Sequence, residues 1–204
     1  MVAEARALGG GAYYAVSWMK GSYSAEQPEP LPRPSRNACA AVAYDLLAAD
    51  SPVRRLYEWD GLVALFRELL GVEQFYRCAD PISSCLLMYH GDGDELGWHF
   101  DPNDGVVTLL LQAAEEGGEF EFVPGIVRGE MERVERLMDG ARDGAITAPL
   151  RPGTLSLFRG VNALHRVTRV SGPTPRIMLA MSFHDRPGMM FTPENRKRYS
   201  GRDV

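Results

Sequence analysis

From Ser84 onward the chain breaks into short β-type runs: Cys85–His90, Val106–Ala113, Glu119–Val123, Leu155–Phe158, His165–Val170 and Arg176–Phe183. Gly, Pro, Asp and Asn separate them, and strands this short bury a core only by pairing into a curled or layered sheet. One polar insertion, Arg128–Gly144, interrupts the series; Glu130–Leu137 within it suits a helical turn or two with an exposed charged face. The earlier half reads differently. Ala7–Ser24 is glycine- and aromatic-rich and fits either a short strand or a partly ordered lead-in, and Gln27–Arg36 carries four prolines and reads as an extended connector that cannot be helix. Asn37 or Ser35 could cap a helix running to Ala49, and Ser51-Pro52 opens a second that runs to Leu70 and stops at Gly71. Helices first and strands afterwards predict an α+β arrangement, a sandwich or barrel of strands buttressed by two N-terminal helices. At 204 residues this fits one domain: 1–36 lead-in and connector, 37–71 supporting helices, 84–187 strand core.

Composition narrows the function. Apolar residues are 45 % and charged residues 24 %, ordinary globular values, and the net charge of −5 offers no basic field for a nucleic acid. Residues 1–6 lead into glycines without an apolar segment, so no signal peptide is expected, and no stretch of about eighteen apolar residues suggests a membrane span. Three cysteines, Cys39, Cys78 and Cys85, lack metal-ligand spacing and read as buried thiols of a cytoplasmic protein.

Any histidine-based site must draw on His90, His99, His165 and His184. In the stretch Tyr89–Asp101 (YHGDGDELGWHFD), extended backbone puts His99 and Asp101 on one face and Trp98 and Phe100 on the other. An imidazole and a carboxylate diverging from one strand can take adjacent positions on a metal, and His165 is the leading third ligand. Two histidines and one carboxylate on one face of an ion leave other positions open, as in non-haem Fe(II) oxygenases. Arg176, eleven residues after His165, adds a permanently charged fork suited to the far carboxylate of a keto-acid cosubstrate.

With VVTLLLQAAEEGGEFEFVP (Val106–Pro124), PGTLSLFRGVNALHRVTRV (Pro152–Val170) and Arg176 in order after Tyr89–Asp101, the chain resembles the iron(II)- and 2-oxoglutarate-dependent oxygenase superfamily. It is most similar to the ArpA-like and prolyl-hydroxylase-like small-molecule branch, which also holds hydroxylases and radical halogenases of free amino acids. The likeness covers about Ser84–Pro187. It implies a mostly β fold with flanking helices, a double-stranded β-helix (jelly roll, cupin-like) behind N-terminal helices. It also implies Fe(II), 2-oxoglutarate and O2 as cofactor and cosubstrates, with ascorbate as a stimulant. By the same resemblance His99, Asp101 and His165 are the iron ligands, Arg176 anchors the 2-oxoglutarate C5 carboxylate, and Tyr89 contacts cosubstrate or substrate. Relatives commonly carry Ser two residues after the arginine, where this chain has Met178, so a second donor must come from elsewhere, with Thr108, Thr154 and Tyr89 as candidates. Halogenase relatives replace the carboxylate ligand with Gly or Ala; this chain keeps Asp101, which points to hydroxylation.

The implied reaction is hydroxylation of a small polar metabolite, such as a free amino acid. The alternatives are a protein or peptide-residue hydroxylase and a non-catalytic jelly-roll binding module, which would not need Arg176. An amino-acid substrate needs partners for its ammonium, for which Asn103, Asp104, Glu119 and Glu121 are candidates, and for its carboxylate, for which Arg159 and Asn162 are. Outside these, His90 is expected in a loop or at the surface, His184 could edge the pocket, and Asp92 and Asp94 read as turn residues.

Overall fold

The structure is a computed structural model that describes residues 1–21, 30–101, 105–126, 130–160 and 163–203. A short helix, α1 (Val2–Leu8), leads through a single 3-10 turn into a long hairpin, β1 (Tyr13–Gly21) and β2 (Pro30–Val42). Helices α2 (Pro52–Glu58) and α3 (Asp60–Leu70) follow. Then come β3 (Tyr76–Arg77), β4 (Cys85–His90), β5 (Glu95–His99), β6 (Gly105–Gln112) and β7 (Phe120–Val123). After α4 (Met131–Met138) the chain adds β8 (Ile146–Thr147), β9 (Leu155–Phe158), β10 (Leu164–Val167) and β11 (Arg176–His184), and ends in α5 (Pro193–Ser200).

The strands form one curled antiparallel sheet in the order β8-β7-β10-β5-β2-β4-β11-β6-β9, with β1 on β2 and β3 on β11. This is the jelly roll that the resemblance implied, mostly β with few helices. The six β-type runs all became strands, with ends shifted by a few residues. The early half differs from expectation. Pro30–Arg36 is strand rather than connector, because prolines spaced two apart leave only one edge without N–H donors. The helix expected over 37–49 does not form: Asn37–Val42 continues β2, paired to β1, β5 and β4, and only Tyr44–Leu46 makes a 3-10 turn. Small alanines suit a crowded central strand, and sheet pairing overrides their helical propensity. The second expected helix is broken at Trp59, where the backbone is extended, with Ser51 capping its start and Gly71 its end.

Strands β4 and β11 are covered on both faces, which explains their unbroken apolar runs. One set of alternating residues, including Leu87, Leu179, Met181 and Phe183, packs on Val53, Tyr57, Leu62 and Phe66 of α2 and α3. The other set faces a cavity between the two halves of the curl. A second core, with Trp98, Phe100, Val123, Val134, Leu137 and Leu164, seats α4 behind β5, β7 and β10. The three cysteines are free and buried; burial pushes the Cys78 thiol up to about 11 and Cys39 to about 12, so both stay protonated at neutral pH. No described helix is long and apolar enough to cross a membrane.

Candidate metal centre

His99 ends β5 and His165 lies in β10, directly opposite it in the antiparallel register. Their rings stand 4.0 Å apart between centroids. Asp101 follows two residues after His99, and its Oδ1 lies 3.5 Å from His99 Nε2 and 3.4 Å from His165 Nε2. One ligand atom from each residue falls within 4.8 Å of the others, the one such His/Cys/Asp/Glu cluster among the described residues.

Backbone carbonyls settle which nitrogen faces inward. His99 Nδ1 lies 2.8 Å from Gly97 O and His165 Nδ1 lies 2.9 Å from Ala163 O. A ring nitrogen donates to a carbonyl, so each Nδ1 carries a proton and each Nε2 is the edge turned to the cluster. Two Nε2 edges and a carboxylate converge within 4.8 Å in a buried space, a donor set that fits a divalent metal of mixed N/O preference. Burial, then the neighbouring His165, lowers the His99 pKa and favours its neutral form. Burial alone would raise the Asp101 carboxyl, but in the metal-free protein charge and hydrogen bonds from His165 and His99 outweigh it and hold it well below the usual carboxylate range, through a proton that a metal at the Nε2 edges would displace.

Close packing fixes this geometry. The Asp101 N–H donates to Gly160 O at 3.1 Å. A Cβ on Gly160 would lie 2.0 Å from Asp101 Oδ2 and 2.7 Å from His165 Cε1, so only glycine fits there. Phe158 and Phe120 pack on the His165 ring at 4.8 and 5.6 Å between centroids and close it off from water.

The three residues line a cavity of about 150 Å³. Arg176, at the start of β11, lines the same cavity from the other half of the curl, buried, and no described residue pairs with its guanidinium. Burial lowers its pKa to about 10, which leaves it charged at neutral pH. Thr108 and Ser156 also line the cavity and share a hydroxyl hydrogen bond of 2.7 Å.

The structure does not bring Tyr89 to this site. It points to the helical side of β4, and its hydroxyl donates to Ala5 O at 2.7 Å. His90, expected at the surface, is fully buried and lines the cavity, because side chains alternate along β4. His184 is buried against Phe191 and does not line the cavity. Glu121 turns away from it to pair with Arg142 and Arg166, Glu119 bonds Thr168, and Arg159 is exposed. Asn103, Asp104 and Asn162 lie outside the described residues. Asp92 and Asp94 hold the β4–β5 turn, accepting from the Gly172 and Gly91 N–H groups.

The residues that sequence reasoning missed come from α5. Asn195, Arg198 and Tyr199 line the cavity. Thr192 caps this helix and Pro193 opens it, a start signal visible in the sequence. Arg196 fastens α5 to the sheet through the buried Asp80, Nε to Oδ2 at 2.7 Å, and Arg202 pairs with Asp45 at 2.6 and 2.7 Å.

Residues 33–191 match the protein family described as Halogenase D. No curated protein matches significantly. Several solved structures share the fold at low identity. One is an oxidoreductase of the 2OG-Fe(II) oxygenase family from Burkholderia pseudomallei, with 15 % identity, TM-score 0.56, and 92 % of this chain and 80 % of that one covered. The non-heme alpha-ketoglutarate-dependent epimerase SnoN from nogalamycin biosynthesis gives 18 % identity, TM-score 0.58 and coverage of 90 % and 70 %. A Pseudomonas putida prolyl-4-hydroxylase gives 17 %, 0.55, and 91 % and 84 %.

Proposed function

Because the chain belongs to the halogenase D family, within the iron- and 2-oxoglutarate-dependent oxygenases, we propose that it hydroxylates an unactivated C–H bond of a small polar metabolite. The observation that carries this reading is the shared cavity: His99, Asp101 and His165 converge on one side, and Arg176, unpaired among the described residues, stands on the other. In this reading the first three hold Fe(II), and Arg176 holds the C5 carboxylate of 2-oxoglutarate. Iron and cosubstrate, when bound, supply the oxidation: 2-oxoglutarate loses CO2 to become succinate as O2 is consumed, and one oxygen atom enters the substrate C–H bond.

The protein's own part is to orient and to exclude. Gly97 O and Ala163 O hold both imidazoles in the tautomer that offers Nε2. Arg176 fixes the cosubstrate's far end so that its keto acid is presented to the metal side. Phe120 and Phe158 keep water from that side. Asp101 supports hydroxylation over halogenation, since it fills the coordination position a halide would take.

The small cavity suits a metabolite better than a polymer. A free amino acid or a derivative of one is the substrate class that the family likeness favours. In the α5 wall, Arg198 offers a cation for a carboxylate and Asn195 a carbonyl for an ammonium. The test is an aerobic screen of free amino acids with Fe(II) and 2-oxoglutarate, read by mass spectrometry for a gain of one oxygen. Acylating the α-amine of a hit should abolish turnover; activity only on a peptide-held residue would move the assignment to a peptide hydroxylase.

A further inference from the structure

His90 and Arg176 are register partners across the β4–β11 ladder, so their side chains stand next to each other on the cavity face. His90 is 1 % exposed and Arg176 is 3 % exposed. Neither His90 nitrogen has a hydrogen-bond partner among the described residues. A buried imidazole without partners beside a buried unpaired cation is costly, and it persists where a ligand completes it.

Met178 leaves open which group assists Arg176, and the three residues suggested by sequence are all engaged or elsewhere. Tyr89 bonds Ala5 on the far side of the strand. The Thr154 hydroxyl accepts the Arg151 N–H in a turn, and Thr108, bonded to Ser156, pairs with Ala180, four residues along β11 from Arg176. His90 remains, nearest in register to the guanidinium. We propose that His90 is a second cosubstrate-binding residue, a neutral imidazole that donates one ring N–H to the carboxylate of 2-oxoglutarate held by Arg176. Burial, then the adjacent Arg176 charge, pushes the His90 pKa down to about 3, so the ring stays neutral and does not repel its neighbour. A lysine here would set two cations side by side, whereas a neutral donor adds a bond to the carboxylate without that repulsion.

This inference rests on the oxygenase reading, and the experiment separates the two. Iron(II)-loaded protein is titrated without oxygen with 2-oxoglutarate and with 2-oxopentanoate, which keeps the keto acid and lacks the distal carboxylate. His90→Leu should weaken 2-oxoglutarate about ten- to a hundredfold, leave 2-oxopentanoate unchanged, and leave the cosubstrate-free protein at least as heat-stable. His90→Gln, which keeps a donor, should recover part of the affinity. If the Leu variant does not fold, His90→Phe serves for the same comparison. Unchanged 2-oxoglutarate affinity, or equal weakening of both ligands, overturns the role of His90. A wild-type protein that binds no 2-oxoglutarate overturns the oxygenase reading itself.

Discussion

His99 and His165 face each other across β5 and β10, and both Nε2 atoms point at the same oxygen of Asp101. The candidate ligand set therefore draws one ring from each of two strands, with Asp101 just past the end of β5, and losing either ring would leave it incomplete. His99→Ala and His165→Ala should each abolish turnover and weaken Fe(II) binding by at least tenfold, measured by anaerobic equilibrium dialysis. Full activity in both variants would remove the assignment.

Arg176 should govern cosubstrate affinity and leave iron affinity alone. Removing one member of a buried charge pair costs about 3–5 kcal/mol, so Arg176→Ala should raise the 2-oxoglutarate requirement by about two orders of magnitude or more. Arg176→Lys should recover only part, because a point charge does not reproduce the fork. An unchanged cosubstrate titration in Arg176→Ala would place the clamp elsewhere.

The shared face of His99 and Asp101 was legible because strand alternation fixes it, whereas His165 and Arg176 were nominated by their places on later β-type runs and by the family resemblance. The phase of β4 was not. Cys85–His90 is apolar on both sides, so nothing in its pattern says whether Tyr89 or His90 looks into the cavity; the register with β11 decides it for His90. Asn37–Val42 misled for a related reason: alanines read as helix until three neighbouring strands compete for their backbone. The contribution of α5 depends on long-range pairs, Arg196 with Asp80 and Arg202 with Asp45, that local patterns do not reveal.

Gly160 tests how closely the metal side is packed. Adding one methyl group would place carbon 2.0 Å from Asp101 Oδ2, so Asp101 or the 160 backbone must move. Gly160→Ala should lower kcat/KM by about a hundredfold, as displacement of about 1 Å at a reacting centre can do, with little change in 2-oxoglutarate affinity. Wild-type kinetics in this variant would show the approach to be looser than described.

Acid stability should depend on Glu121. Burial raises its carboxyl pKa, but the hydrogen bonds from Arg142 and Arg166 outweigh this and the net shift is downward. A lowered folded-state value stabilises the protein above the unfolded pKa of about 4.3, and that contribution is lost as pH falls through the folded value. Glu121→Gln should cost about 1–3 kcal/mol at neutral pH, since Arg142 is half exposed and partly screened. The gap in melting temperature between wild type and variant should then shrink as pH drops below about 4. A gap that stays constant through that range would show that Glu121 contributes through packing alone.

The family is described by halogenation, yet this chain keeps a carboxylate at position 101. Asp101 sits 3.4–3.5 Å from both histidine nitrogens, inside the candidate ligand cluster, so under the proposed assignment a halide has no equivalent place while the side chain is present. Wild-type protein in high chloride should therefore yield the hydroxylated product and no chlorinated one. Asp101→Gly removes the carboxylate and opens that position, while Gly160 and the two histidines keep their backbone setting. Halide should then bind the iron-loaded variant, seen as a chloride-dependent change in its anaerobic visible spectrum. Chlorination by the variant should stay poor, because which group reaches the substrate also depends on where the cavity holds the C–H bond, and that wall is unchanged. Mass spectrometry of products in chloride separates the outcomes, and a chlorinated product from the unmodified protein would overturn the hydroxylase reading.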